Sequence, residues 1–422
     1  MNNSWRHKFV SAILLCVLLC GCGETGLLEE VPRDFAVTGQ YSGETKRTGE
    51  SREETAAGET ETGTAAEAEA ESFLRKDAFE YARGYLNEAE QLWYDEMKEI
   101  LGDFQENVRL SPRGLEEGCS EEDIDRIFQC VLDDHPELFY VEGYSYTKYT
   151  KGERTTAVDF SGTYSVDRET AEEKRAAIET AVEEILSGID GNADQYARVK
   201  YVYETIIRNT DYRLDAPDNQ NIYSVFVNHL SVCQGYAKAT QYLLNRLGIE
   251  CTLVLGTVDT GDRREGHAWN LVKVDGSYYY VDTTWGDASY RTEDGGENSF
   301  PMPEINYDYL NVTTEELLRT HSPEGSIPMP LCTATDANYY SREGALFSVY
   351  DREQMQDLFD RAGEQGREDV TVKCADRACY EQVFAALIDG QEIFDYLDGA
   401  GSTVAYARNE NQLSLTFWVT NE

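Results

Sequence analysis

An Asp-Gly dipeptide between two strand-like runs constrains the fold of this chain more than any other feature. Asp275 and Gly276 separate the run HAWNLVKV from the run SYYYVD. Two such residues between strand-like segments indicate a β-hairpin closed by a type I′ turn, because Asp and Gly tolerate the positive φ angles that this turn requires. The hairpin would pair Val274 with Ser277, and this pair would set the register of both strands.

The predicted register brings a histidine and an aspartate together. Counting outward from the turn, Trp269 faces Asp282, and His267 lies on the same sheet face as Asp282, diagonal to it. Diagonal neighbours in an antiparallel pair are about 7–8 Å apart at the backbone, close enough for a carboxylate to hold an imidazole. The hairpin therefore predicts an Asp–His pair of the kind that activates a nucleophile.

A predicted helix places a cysteine at its N-terminus. Apolar residues recur at helical spacing between 234 and 247, and Gly248 follows where a C-terminal cap is expected. Cys233 would then lie at the mouth of the helix, where unpaired backbone N–H groups and the positive end of the dipole favour a thiolate. Gly235, without a side chain, would let a substrate backbone approach closely.

Three short motifs resemble those of one enzyme superfamily. VCQGYAKAT around Cys233, GHAWNLV around His267 and YYYVDTTWGD around Asp282 are similar, in this order, to the motifs of the transglutaminase-like superfamily of papain-like thiol enzymes. The resemblance, confined roughly to 202–287, implies an α+β fold with a helix packed on an antiparallel sheet. It also implies a triad in which Cys233 is the nucleophile, His267 the proton acceptor and Asp282 the orienting group. It does not imply one reaction, because members include amide-transfer enzymes, peptidases and proteins with no activity.

The side chain that would stabilise an oxyanion is left open by the sequence. A papain-like pattern has a Gln shortly before the Cys, and none occurs within a few residues of Cys233. The backbone N–H of Cys233 is the first candidate, and Gln220 and Tyr223 are further cleft or oxyanion candidates. Trp269 and Trp285 fit equally well as packing in the cleft wall and as platforms for substrate.

The first 72 residues carry export signals rather than a folded domain. Residues 1–22 join the basic run RHK to an apolar run too short to span a bilayer comfortably, as in a signal peptide. The sequence LCGC ending at Cys22 resembles a bacterial lipobox, which implies cleavage before Cys22 and lipidation of its sulfur. An ordinary cleaved signal or an uncleaved anchor is the alternative. Residues 23–72 are acidic with few aromatics, which predicts a disordered tether.

The remaining chain divides into three predicted regions. Residues 73–165 predict a small α+β domain, and their segment HPELFYVEGYSY looks like one upstream of the catalytic core in bacterial secreted members of the superfamily. Residues 166–300 would form the transglutaminase-like core, and 301–422 a small α/β region without a catalytic signal. The chain has 37 basic and 79 acidic residues, and its net charge of −42 argues against nucleic-acid binding and against electrostatic binding to anionic lipid.

Cysteine usage is typical of an exported protein with disulfides. Beyond the lipobox the chain carries Cys119, Cys130, Cys233, Cys251, Cys332, Cys374 and Cys379. Without the predicted nucleophile six remain, an even number that suits disulfide pairing outside the cytoplasm. Cys374 and Cys379 are the favoured pair because they are near in sequence. Cys251 lies in an alternating strand-like run and is predicted to be a buried core thiol.

The other histidines indicate no further site. His135, His229 and His321 have no partner at a meaningful spacing, and no Cys/His cluster has the spacing of a zinc site. We therefore expect neither a metal nor another cofactor.

These features together predict a lipid-anchored extracellular thiol enzyme that acts on amide bonds. Water as the acyl acceptor would make it a peptidase or amidase, and an amine would make it a transamidase. Its partners would be the membrane, through the anchor, and a protein or peptide substrate, including one associated with the cell wall. The alternative is a surface binding or scaffold protein that kept the fold and lost useful turnover. A role in wall remodelling is supported by the predicted location alone.

Overall fold

The computed structural model of the chain describes residues 79–151, 154–259, 264–287, 303–325, 327–367, 369–397 and 403–420. The predicted signal peptide, the lipobox with Cys22 and the acidic tether at 23–72 lie outside the described residues. Within the described residues, no helix is both long and apolar enough to cross a membrane.

The longest helices lie in the first half of the described chain. The helices are α1 (Glu88–Gly102), α2 (Pro112–Glu116), α3 (Ile124–Asp134), α4 (Arg168–Ser187), α5 (Gln195–Asn209), α6 (Cys233–Arg246), α7 (Thr283–Gly286), α8 (Thr314–Leu317), α9 (Tyr339–Arg342), α10 (Arg352–Glu364) and α11 (Arg377–Phe384). Several begin at a side-chain cap. The side chains of Asn87, Asp167 and Asp194 accept hydrogen bonds from first-turn N–H groups of α1, α4 and α5, which stabilises these helix starts.

The strands of the described chain form separate small sheets. They are β1 (Val108–Arg109), β2 (Val141–Lys151), β3 (Arg154–Tyr164), β4 (Asp211–Tyr212), β5 (Leu230–Ser231), β6 (Cys251–Asp259), β7 (Arg264–Val274), β8 (Ser277–Val281), β9 (His321–Pro323), β10 (Leu346–Phe347), β11 (Asp369–Cys374), β12 (Thr403–Asn409) and β13 (Ser414–Thr420).

The N-terminal sheet has the order β1-β3-β2 and is antiparallel. It packs against α1 and α2, and the buried side chains of Trp93, Phe128 and Phe160 belong to one hydrophobic core that extends into the rest of the molecule. This region therefore contains both helix and sheet, as the sequence indicates for 73–165. The boundary at 165 stays a prediction.

The central sheet is antiparallel in the order β8-β7-β6-β9, and α6 packs on β6 and β7. The predicted hairpin register is confirmed, because Val274 pairs with Ser277. Asp275 and Gly276 have φ angles of 48° and 84°, the positive values that a type I′ turn requires. A helix packed on an antiparallel sheet is the arrangement expected for the core, and the fold is α+β.

The C-terminal sheet has the order β10-β11-β13-β12, with β10 parallel to β11 and the other pairs antiparallel. The helices α10 and α11 pack against β11. Helices and strands alternate from α9 to α11, and β12 and β13 then follow as an antiparallel pair. The bounds 301–422 stay a prediction, since β9 belongs to the central sheet.

A buried group of polar side chains, here called the Asp308 cluster, joins the C-terminal sheet to Asp308 and Glu316, which lie on the segment between β8 and β9. The Asp308 carboxylate accepts hydrogen bonds from the Asn409 amide at 2.8 Å and from the Ser414 hydroxyl at 2.6 Å. The Lys373 ammonium lies 3.8 Å from Asp308 and 3.7 Å from Glu316. A buried ammonium between two carboxylates keeps each of these charges paired, which makes the cluster a specific docking contact.

Candidate active site

Cys233 is the first residue of α6 and follows the short strand β5. Val232, at the N-cap position, has an extended backbone (φ −121°, ψ 178°) and makes no side-chain cap. The first-turn N–H groups of α6 and the positive end of its dipole therefore lie at the position of the thiol. The side chain is only 6% exposed, so a substrate would reach the sulfur through a narrow opening.

Gly235 serves a different purpose from the one that the sequence suggests. We expected it to admit a substrate backbone, but the space beside it is filled by the chain itself. A Cβ at this position would collide with the Ser231 hydroxyl and would lie 3.0 Å from the Asn219 carbonyl oxygen and 3.1 Å from the Ser224 hydroxyl. The two serine hydroxyls are 2.6 Å apart and buried. The glycine therefore allows the loop before Cys233 to pack tightly against α6.

His267, on β7, lies between Cys233 and Asp282. Its Nε2 is 2.7 Å from Oδ2 of Asp282, and the Cys233 thiol is near enough to the ring to contribute to the raised pKa of the imidazole. Because Nε2 is engaged by the carboxylate, Nδ1 is the ring nitrogen available to the thiol. The structure thus brings the three residues of the predicted triad together in the predicted order.

The partners of His267 stabilise its charged form. Burial lowers the pKa of the imidazole, but the Asp282 carboxylate and the Cys233 thiol raise it more, and the net result is a rise from 6.5 to about 10. An imidazole with this pKa carries a proton at neutral pH, which it can donate to a leaving group.

Asp282 has all of its acceptor positions occupied. It caps α7, and its Oδ1 accepts hydrogen bonds from the backbone N–H groups of Thr284 at 2.9 Å and Trp285 at 3.0 Å. Its Oδ2 contacts two imidazoles, those of His267 and His321. Burial raises the pKa of the Asp282 carboxyl, but the two imidazoles lower it more, so the pKa lies well below the ordinary 3.8.

His321 is the site residue that the sequence did not reveal. Its Nε2 is 2.9 Å from Oδ2 of Asp282, and its Nδ1 is 2.8 Å from the hydroxyl of Thr320. The prediction that His321 lacks a partner is therefore wrong. It lies 39 residues after Asp282, on a strand that reaches the site by pairing with β6, and no local pattern in the sequence signals that contact.

The same prediction is wrong for the two remaining histidines, although neither lies in the site. Nδ1 of His135 is 2.7 Å from the carboxylate of Glu137, two residues away. His229 is exposed, and its Nδ1 is 2.9 Å from the Asn209 carbonyl oxygen. The i,i+2 spacing of His135 and Glu137 could have been recognised in the sequence.

The two tryptophans near the triad pack around the imidazoles. Trp269 is stacked beside His267 with ring centroids 6.0 Å apart, and it meets His321 edge-on at 5.0 Å. Trp285 lies 4.8 Å from His321 and 5.2 Å from Tyr309, again edge-on. Both indoles are buried. Of the two roles considered from the sequence, the structure places them as wall packing rather than as platforms for substrate.

The other two cleft candidates are not brought into the triad. Gln220 is exposed on the loop that precedes the π-helical turn at Ser224–Asn228. The Tyr223 ring is stacked at 6.5 Å on Phe139 of the N-terminal region and has the Lys174 ammonium 4.6 Å from its centroid. These contacts hold the Tyr223 ring on the side of the N-terminal region, so neither residue has a structural argument for an oxyanion role.

The seven described cysteines are all free thiols and all buried, so the structure contains no disulfide among them. The expectation of disulfides is not met, although the favoured pair is in contact. Cys379 is near enough to add to the raised pKa of the Cys374 thiol, and its own thiol donates to the Phe347 carbonyl at 3.3 Å. Cys251 is a fully buried core thiol as predicted, and burial raises its pKa well above the ordinary value.

The three ionisable side chains around Oδ2 of Asp282 are also close enough to hold a cation. Among the described residues, the ligand atoms of His267, Asp282 and His321 lie within 4.8 Å of one another. The sequence indicated no metal because the spacing along the chain is not that of a zinc site. The two imidazoles are at hydrogen-bond distance from one carboxylate oxygen, so hydrogen bonding alone satisfies this group.

Comparison with known proteins gives a family for the central part of the chain. Residues 182–283 match the family model described as the transglutaminase-like superfamily. No curated protein matches the chain. The matched segment contains Cys233, His267 and Asp282.

Solved structures give weaker similarities. A TGase structure is 14% identical with a TM-score of 0.24, covering 39% of this chain and 47% of that one. The periplasmic domain of TgpA from Pseudomonas aeruginosa is 20% identical with a TM-score of 0.21, covering 35% and 60%. Menin, in a structure that reveals its binding site for the Mixed Lineage Leukemia protein, is 17% identical with a TM-score of 0.22, covering 56% and 49%. The chain thus spans about half of the length of the TGase and of menin.

The family match and the α+β core with its helix on an antiparallel sheet agree. Residues 182–283 of this chain carry the core of the transglutaminase-like superfamily.

Proposed function

We propose that this chain is a thiol enzyme that acts on amide bonds, with Cys233 as nucleophile, His267 as general base and then acid, and Asp282 as the orienting carboxylate. The observation that carries the proposal is the position of the His267 ring, whose Nε2 lies 2.7 Å from Asp282 and whose pKa is raised by both Asp282 and the neighbouring Cys233. This is the arrangement by which an imidazole activates a nucleophile and is itself held in one orientation.

The proposed reaction follows from these contacts. The Cys233 sulfur attacks the carbonyl carbon of an amide, and the thiol proton resides on Nδ1 of His267. As the tetrahedral intermediate collapses, the C–N bond breaks and the leaving amine takes that proton, which leaves a thioester on Cys233. His267 then accepts a proton from water or from an amine, which attacks the thioester and releases an acid or a new amide.

The N-terminus of α6 is the proposed source of oxyanion stabilisation. The backbone N–H of Cys233 is adjacent to the sulfur, and no side chain caps this helix. A carbonyl attacked by the sulfur would place its oxygen near these N–H groups and near the positive end of the helix dipole. We therefore assign this role to the backbone of Cys233 rather than to Gln220 or Tyr223.

A scaffold function on the same fold is the second candidate, and burial of the site favours it. Cys233 is 6% exposed and His267 is 4% exposed, so a large acyl substrate needs the cleft to open. A scaffold would not require a reactive thiol. Reactivity of Cys233 therefore separates the two functions.

We extend the proposal to the location of the enzyme. The sequence LCGC ending at Cys22 supports lipidation of Cys22, and the acidic run at 23–72 supports a tether that holds the folded regions away from the membrane. The substrate would then be a protein or peptide outside the membrane, including one associated with the cell wall. Cys22→Ala should release the protein from washed membranes. Retention through salt and alkali would instead indicate an uncleaved signal segment.

The central experiment compares two thiols within one protein. Iodoacetamide at neutral pH should alkylate Cys233 well before Cys251, whose thiol is fully buried and has a raised pKa. Peptide mass spectrometry reports both sites in the same sample. His267→Ala should slow alkylation of Cys233 sharply and leave Cys251 unchanged. Equal rates at both thiols, or no effect of the His267 substitution, would refute the enzyme proposal and favour the scaffold.

A further inference from the structure

We propose that His321 is a positioning residue for the triad, which donates Nε2–H to Oδ2 of Asp282 and fixes the carboxylate that orients His267. An effect of His321 on catalysis presupposes that the chain is the thiol enzyme proposed above. Its structural basis is a continuous chain of contacts: Thr320 Oγ1 to His321 Nδ1 at 2.8 Å, His321 Nε2 to Asp282 Oδ2 at 2.9 Å, and Asp282 Oδ2 to His267 Nε2 at 2.7 Å.

The hydrogen bonds around Asp282 assign the proton on His321. A carboxylate only accepts hydrogen bonds, so Nε2 of His321 must carry a hydrogen to be satisfied at 2.9 Å. Nδ1 lies 2.8 Å from the Thr320 hydroxyl, which can donate to it. His321 therefore fits as the neutral tautomer protonated on Nε2.

A neutral His321 is also the arrangement with the lower electrostatic cost. Its ring centroid lies 5.6 Å from that of His267, which carries the positive charge of the site. Both rings and Asp282 are buried. Two imidazolium rings at this distance would repel each other in a poorly solvated place, whereas a neutral donor places no second positive charge beside His267.

The consequence for the triad is geometric. Two backbone N–H groups hold Oδ1, and His321 is the group besides His267 that holds Oδ2. Without His321 the carboxylate could tilt about its Cβ–Cγ bond and take Oδ2 away from the line of His267. The imidazole would follow Oδ2, and its Nδ1 would then point less accurately at the sulfur of Cys233.

The sheet is built so that His321 can reach this position. β9 pairs with β6 at Gly256, which lies opposite both Pro323 and His267. A Cβ at Gly256 would overlap the Ser322 carbonyl oxygen and would lie 2.6 Å from the Trp269 indole. Because Gly256 has no side chain, β9 and the Trp269 indole can both pack directly against its backbone. This packing brings His321 within hydrogen-bond distance of Asp282.

The test compares two replacements of similar size in the full-length protein. The amide of Gln can place an N–H donor near the position of Nε2, so His321→Gln should keep the alkylation rate of Cys233 within about threefold of the original. His321→Leu removes the donor and should slow alkylation, and any amide turnover, by about 10- to 100-fold with KM nearly unchanged. The thermal midpoints of the two variants should be similar. His229→Asn is the control, since His229 is exposed and has a positive φ that Asn tolerates.

A general loss of packing would affect both variants, whereas loss of the donor affects only the Leu variant. Equal rates in His321→Leu and the unaltered protein would overturn the proposal while leaving the enzyme function intact.

A second readout does not depend on catalysis. With ¹⁵N-labelled histidine, the chain shows five imidazoles, and His321 is assigned by comparison with its variants. We expect His321 to show a slowly exchanging Nε2–H and an unprotonated Nδ1. An Nδ1–H tautomer, or a doubly protonated ring at neutral pH, would overturn the proposal even if Cys233 proved unreactive and the enzyme function failed.

Discussion

Two buried carboxylates, Asp282 and Asp308, lie close together in the chain but have different partners and different roles. Asp282 is 1% exposed and is held by two imidazoles and two backbone N–H groups. Asp308 is 2% exposed and is held by the Asn409 amide and the Ser414 hydroxyl, with the Lys373 ammonium at 3.8 Å. The side-chain partners of Asp282 are imidazoles, which can pass a proton to another group, whereas the amide and hydroxyl at Asp308 cannot.

A buried carboxylate can therefore orient a catalytic imidazole, as at Asp282, or hold two parts of the fold together, as at Asp308. The two carboxylates are also physically linked, because the backbone N–H of Asp282 donates to the carbonyl oxygen of Tyr309, the residue after Asp308, at 3.0 Å. The Asp308 cluster therefore supports the backbone on which the triad carboxylate rests. If this comparison is right, substitutions at Asp282 should affect reactivity, and substitutions in the Asp308 cluster should affect stability.

The largest effect is expected for Asp282→Asn. Asn can keep the cap on α7, since its side-chain oxygen also accepts from the N–H groups of Thr284 and Trp285. The negative charge facing His267 is lost, so amide turnover should fall by about 10³- to 10⁴-fold. The thermal midpoint should change by only a few degrees. Asp308→Asn is the matched control and should leave turnover within a few-fold. Full activity of Asp282→Asn would make Asp282 an ordinary capping residue.

A stability effect is expected in the Asp308 cluster. Lys373→Met removes the buried ammonium and leaves the Asp308 carboxylate without the Lys373 charge, which should reduce the free energy of unfolding by about 3–5 kcal/mol. Chemical denaturation measures the loss. The alkylation rate of Cys233 in the folded variant should stay near its original value. The double variant Lys373→Met/Asp308→Asn should lose less free energy of unfolding than the two single variants added together. In the double variant the Asp308 charge is absent, so it is not left buried without Lys373.

A smaller effect on stability, joined to a loss of reactivity, is expected for Gly276→Val. The φ of Gly276 is 84°, a region in which a β-branched residue is strained, so the free energy of unfolding should fall by about 1–3 kcal/mol. Alkylation of Cys233 should also slow, since this turn sets the register of His267 and Asp282. Gly191→Val is the control, because a Cβ at Gly191 has nothing within 4 Å and its φ is not positive. Equal destabilisation by both variants would argue against a special role for the turn.

The smallest effect concerns pH. The pKa of His267 is raised from 6.5 to about 10, so its contribution to stability is complete below pH 6.5 and is lost as pH rises toward 10. The pKa of Asp282 is lowered, so its contribution is present above pH 3.8 and is lost as pH falls further. The difference in thermal midpoint between the unaltered protein and His267→Gln should therefore shrink between pH 6.5 and pH 10. A constant difference over this range would contradict the raised pKa. Asp308→Asn should not change the pH range over which the contribution of His267 to the thermal midpoint is lost.

The parts of the site that depend on local patterns were predictable from the sequence. The turn at Asp275 and Gly276 fixes the strand register by its length, and this register sets the diagonal contact of His267 with Asp282. The start of α6 at Cys233 also follows from the spacing of apolar residues. In both cases the signal and the structure lie within a few residues of each other.

The parts that depend on distant packing were not predictable. His321 reaches Asp282 because β9 pairs with β6, and strand partners far apart in sequence leave no periodic signal. The environment of Gly235 was misjudged for the same reason, since the serine hydroxyls that crowd it come from a loop conformation rather than from a motif. Lys373 and Asp308 meet only when the C-terminal sheet docks, which no local propensity encodes.

Because the hairpin is short, the number of residues between His267 and Asp282 must be conserved, whereas the identity of the side chains between them is less constrained. These residues are 15 apart, and the tight turn leaves no slack between them. Inserting or deleting one residue in either strand would turn every following side chain to the opposite face and separate the pair. From Asp282 to His321 the interval is 39 residues, and β9 is placed by its pairing with β6 rather than by a turn. Relatives that keep the triad should thus vary freely in length after the hairpin and hardly at all within it.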